Sequence, residues 1–119
     1  MVESYTIMPN KNYLATTIWD RKRNRQFTRA RCQAKFRGET WLLTYTDWCE
    51  FFPTEQSVNQ IGRGRDNHCL TRLDIEGAWD RDNTCLISRL VHLQIKNRRS
   101  HGLPWEHLMA SATWITDVQ

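Results

Sequence analysis

Two short runs of strand-like residues followed by a break-free polar stretch constrain this chain more than any other feature. Cys69-Leu70-Thr71-Arg72-Leu73 alternates in character and reads as a strand. Asp74 to Asp82, with Gly77 inside it, reads as a loop. Thr84-Cys85-Leu86-Ile87-Ser88 reads as a second short strand. Arg89 to Arg98 contains neither Pro nor Gly and reads as a helix with Leu90, Leu93 and Ile95 turned inward. Residues 68–98 are therefore expected to form a β-hairpin followed by a helix. With helices on either side, the expected fold class is α+β, in one small domain spanning residues 1–119.

The flanking segments supply those helices. Tyr13 to Trp19 is rich in β-branched and aromatic residues and is expected as a strand. Residues 20–37 form a basic segment in which Phe27, Ala30, Arg31 and Ala34 recur at helical spacing, so a helix ending near Gly38 is expected. Thr44 with Asp47 three residues on is a capping box ahead of Trp48, Phe51 and Phe52. Those aromatics are expected in the core, and Pro53 should close the helix. Residues 54–68 read as a polar loop with Gly62-Arg63-Gly64-Arg65 at its tip. After Gly102, Pro104 can open a last helix over 103–116 whose apolar face is Trp105, Leu108, Met109, Ala112 and Ile115.

The charge distribution points to a polyanion. The formal net charge is only +4, but no acid interrupts the stretch from Arg21 to Arg37, which also holds Lys22, Arg23, Arg25, Arg29, Arg31 and Lys35. Arg63 and Arg65 form a second cluster, and Lys96, Arg98 and Arg99 a third. A phosphate backbone is the commonest partner of such a pattern, so DNA contacts are expected at these three clusters. An acidic protein, a lipid surface, or a solvated face without a partner are the other readings.

No run approaches the ~20 apolar residues of a membrane span, and no leader pattern opens the chain, so no membrane contact and a cytosolic location are expected. Cys32, Cys49, Cys69 and Cys85 are widely spaced and lack any Cys-x-x-Cys pair. Reduced thiols buried as small apolar residues are expected, rather than disulfides or a structural Zn2+ site.

The run Leu70-Thr71-Arg72-Leu73-Asp74-Ile75-Glu76-Gly77-Ala78-Trp79-Asp80-Arg81-Asp82-Asn83 continues through Leu86-Ile87-Ser88-Arg89 to His92 and Asn97-Arg98-Arg99. It resembles the core of phage HNH-type homing endonucleases, in the divergent subgroup with an Asp-Arg-Ile-Asp motif. Arg72, Asp74, Gly77, Trp79, Asn83 and Arg89 carry the likeness, and the segment from Trp41 to Phe52 resembles the helix ahead of such a core. The resemblance covers roughly residues 38–99.

That resemblance implies a ββα unit holding one divalent metal, Mg2+ or another, and cutting or nicking DNA in the host cytosol. Arg72, Asp74, Asn83 and His92 would form the site. Asp74 and His92 would be the metal ligands, with His68 a neighbouring spare. Arg72 stands where standard members carry a general-base histidine, and arginine cannot accept a proton at neutral pH. Asn83 would brace the loop between the strands, and Trp79 is expected in the core. A non-catalytic relative that binds DNA, or that blocks a host nucleic-acid-processing protein, is the alternative. Whether the chain forms a homodimer stays open.

Overall fold

The computed structural model describes residues 17–62 and 64–115. The element order is helix α1 (Ile18–Phe36), α2 (Tyr45–Phe51), α3 (Glu55–Asn59), strands β1 (His68–Arg72) and β2 (Thr84–Ser88), α4 (Arg89–Ser100) and a 3-10 helix (Glu106–Ser111). This is an α+β arrangement around a two-stranded antiparallel hairpin. Cys69 faces Ile87 across the pair and Thr71 faces Cys85.

An isolated two-stranded hairpin is marginal in water and needs cover. Here both faces are covered, because side chains alternate along a strand. Leu70 and Leu86 pack against an aromatic cluster of Phe27, Trp48, Phe51 and Phe52, built from α1 and the α2 region. Cys69, Cys85 and Ile87 pack the other way, with Ile95 of α4 and with Trp105, Leu108 and Met109. The hairpin is thus the middle layer between α1–α3 and α4. The aromatic cluster has edge-to-face geometry, with the Phe27 ring 5.4 Å from Tyr45, 5.8 Å from Trp48 and 6.0 Å from Trp41.

Three capping boxes set the helix starts on the α1–α3 side. Thr17 Oγ1 accepts from Asp20 N–H and Asp20 accepts from Thr17 N–H. Thr44 and Asp47 do the same for α2, and Thr54 with Ser57 for α3. The first of these overturns the expected strand at its described end: Ile18 and Trp19 are helical, because the cap at Thr17 commits them. Residues 13–16 of that strand lie outside the described residues. The polar loop over 54–68 is also corrected, since its first part forms α3 behind its own cap.

Two further expectations fail for reasons of packing. Leu90 and Leu93 are exposed, and Ile95 with Val91 meets the core instead. Ser88 caps α4 and fixes its phase, which puts 91 and 95 on the inner face. The last helix is a short 3-10 turn over 106–111, not an α-helix over 103–116. No side chain caps it at Trp105. Beyond it Ala112 is extended, and Thr113 exchanges two 2.8 Å backbone hydrogen bonds with Leu86. Sheet pairing has drawn those residues out of any helix. The cysteines divide likewise: Cys85 is buried, with its thiol pushed up to about 12 by burial, whereas Cys32 is exposed on α1.

Phe52 is 1% exposed, and its ring lies 4.9 Å from that of Trp48 at a tilt of 50°. Phe52→Ala is expected to cost about 3–5 kcal/mol. Urea unfolding followed by circular dichroism should show a lower midpoint at unchanged slope.

Candidate DNA-binding cleft

A cleft of about 850 Å³ opens between α1 and α4, with β1 and the aromatic cluster at its base. Its floor is apolar, made by the half-buried Trp41, Leu70 and Trp79 and the exposed Ile75, with Trp48 and Phe52 buried beneath them. Its rim is cationic: Arg37 comes from the end of α1, Arg72 from β1, and Arg89, Lys96 and Arg99 from α4. The one carboxylate among the described lining residues, Glu39, is already engaged. It accepts from Arg37 at 2.9 and 3.1 Å, from Trp79 Nε1 at 3.0 Å and from Arg72 at 3.2 Å. Arg37, then Trp79 and Arg72, hold its carboxyl below the usual carboxylate range against the opposing effect of burial.

Arg72 is a fixed part of this wall. Its second terminal nitrogen donates to Gly77 O at 2.9 Å, and its guanidinium lies 4.8 Å from the centre of the Trp79 ring. It pairs with Glu39 across 33 residues of sequence rather than with the nearby Asp74 or Glu76. Trp79 is half-buried on the aromatic cluster, and its segment is bridged to Trp41.

Asp74 lies just beyond β1, which stops at Arg72, so strand alternation no longer dictates its direction. Its Oδ1 accepts from Glu76 N–H at 2.9 Å in a tight Asx turn. Asn83 spans the loop: its Oδ1 accepts from Asp74 N–H at 2.8 Å, and its Nδ2 donates to Asp74 O and Ala78 O, both at 2.9 Å. The loop is pinned at its far end by Arg81, whose guanidinium meets Asp47 at 2.6 Å and Glu50 at 3.2 Å. The role of Arg81, which ties the loop to α2, has no signal in local sequence.

His92 lines the cleft from α4, and its Nδ1 is buried without a hydrogen-bond partner. Burial first, then Arg89, Lys96 and Arg99, push the imidazole below the ordinary histidine range. It is therefore a neutral ring among cations. Asp74 is not part of the cleft lining, and its carboxylate is folded onto its own turn. Among the described residues no three His, Cys, Asp or Glu side chains converge as a metal cluster. Three cations beside His92 favour an anion there over a divalent metal, so this donor pair does not fit Mg2+.

The three basic clusters fare differently. Arg25 and Arg29 stand exposed on α1, as does Arg21. Lys22 donates to Asn59 at 2.9 Å. Arg23 is turned inward onto Phe52 O at 2.9 Å and over the Trp19 ring. Arg65 is exposed, and Arg63 lies outside the described residues. On α4, Lys96 is exposed, Arg98 donates to Pro104 O, and Arg99 donates to Leu73 O at 2.7 Å beneath Trp105. His68 begins β1 and does not line the cleft.

Other buried groups in the lining lack partners. Trp41 Nε1, Trp48 Nε1 and Arg89 Nε are buried donors with no acceptor among the described residues, although the Arg89 guanidinium also meets the Cys69 thiol. No helix of the described residues is long and apolar enough to cross a membrane.

Two outcomes follow from this geometry. Asn83→Ala removes three hydrogen bonds and is expected to destabilise the fold by about 2–3 kcal/mol, readable in urea. Below pH about 6.5 the unfolded chain takes up a proton that the folded His92 resists. Stability should therefore fall as pH drops from that value towards the lowered folded pKa. In His92→Gln that component of the pH dependence of the melting temperature should vanish.

No family model, curated protein or solved structure matches this chain.

Proposed function

We propose that this chain is a small non-catalytic DNA-binding protein, built on a hairpin-helix unit like that of the HNH-type endonucleases, which grips phosphate at the cleft between α1 and α4. The observation that carries this reading is the cationic rim, Arg37, Arg72, Arg89, Lys96 and Arg99, around a lining whose one carboxylate is already neutralised. Cations gathered around one cleft attract a polyanion and release its counterions. The arginines exposed on α1 extend the positive surface away from the cleft.

The fixed positions of Arg72 and Asp74 support binding over cleavage. Arg72 holds the wall and cannot act as a base, and Asp74 Oδ1 accepts from Glu76 N–H within its own turn. His92 beside the rim carries one ring N–H that can donate, and phosphate bound there would be flanked by the cations of α4.

Binding should be measured by fluorescence anisotropy with labelled mixed-sequence DNA over a salt series. Affinity is expected to fall steeply with salt. Lys96→Ala and Arg37→Ala should each weaken it and flatten the logarithmic salt slope by roughly one unit. Absence of salt-sensitive binding at low salt overturns the reading. Nicking of supercoiled plasmid that requires a divalent metal would replace it with the endonuclease reading.

A further inference from the structure

We propose that the cleft takes single-stranded DNA, with an unpaired base docked on its apolar floor and the adjoining phosphates on its cationic rim. This rests on the DNA-binding reading and names the state of the strand that fits. A rim of cations alone would suit any nucleic acid. The floor does not. Duplex DNA covers the faces of its bases by stacking and presents phosphates, sugars and polar groove edges. Leu70 and the 49%-exposed Ile75 would meet no apolar surface on it. An unpaired base offers a broad apolar face joined through one sugar to its phosphates. The cleft volume of about 850 Å³ is in the range of pockets that enclose small ligands rather than of surfaces that receive a duplex.

The unpartnered donors are an independent observation. An indole Nε1 and a guanidinium Nε can only donate, so Trp41 Nε1, Trp48 Nε1 and Arg89 Nε are three buried donor atoms with no acceptor among the described residues. Buried polar groups are nearly always satisfied, and each exception calls for a physical reason. All three side chains line this one cleft. A ligand rich in acceptors and carrying an apolar face answers both features together. Nucleobases carry ring nitrogens and carbonyl oxygens at their edges, and the linked phosphates add more acceptors.

The test compares three labelled probes of about 15 nucleotides under identical salt: an intact single strand, the same strand with a central block of abasic sites, and the matching duplex. The abasic strand keeps every phosphate and loses only the bases. The intact strand is expected to bind at least about tenfold tighter than either of the others, the effect of docking one base. Duplex or abasic strand binding as tightly as the intact strand overturns this inference, and salt-sensitive binding of all three leaves the DNA-binding reading standing. Failure of all three probes to bind overturns both.

Discussion

One carboxylate organises the side of the molecule where function is read. Glu39 sits between α1 and the aromatic cluster and accepts from Arg37, Arg72 and the Trp79 indole. Without it, Arg72 would lie on a tryptophan face near Arg99 with no carboxylate partner among the described residues. With it, the end of α1, strand β1 and the long hairpin loop are held to a common point. The wall of the cleft is then rigid before any ligand arrives. Rigidity of that kind lowers the ordering cost of binding, because the guanidinium of Arg72 is already fixed.

The hairpin loop shows the same economy of means. Eleven residues separate β1 from β2, too many for a tight turn, so the loop needs its own framework. Asn83 supplies it from within by closing on Asp74 and Ala78, and Arg81 supplies it from outside by reaching Asp47 and Glu50. Asp47 also caps α2, so one buried carboxylate fixes a helix start and a loop together. Attachment at both ends lets a long connection hold Trp79 and Ile75 at the cleft.

Local chemistry made much of this legible from sequence. Thr44 with Asp47 announces α2, the alternation at 69–73 and 84–88 announces the hairpin, and Asn83 ahead of β2 announces a brace. What local pattern could not carry was contact between distant segments. Glu39 has no motif around it, and the Arg72 partner lies 33 residues away. Of the site residues read from sequence, Arg72 and His92 line the cleft, whereas Asp74 and Asn83 build the loop beside it. Periodicity misled where tertiary pairing prevailed: the apolar spacing from Trp105 to Ile115 suits a helix, yet Thr113 is bonded to Leu86. Arg23 looks like its neighbours in sequence and differs only because Phe52 O lies within its reach.

The Thr113–Leu86 pairing has a consequence for the outer edge of the hairpin. β2 has β1 on one side; on the other its backbone groups would face outward, an open template for a strand of another chain. Thr113 closes that edge at Leu86 with two hydrogen bonds, and Trp114 and Ala112 pack beside it on the second core cluster. A single bridge suffices because β2 is only five residues long, so one capped position leaves no run of free groups. The segment that gave up its helix thereby lies along the β2 edge, and its two backbone hydrogen bonds to Leu86 offset part of the helical turn it lacks.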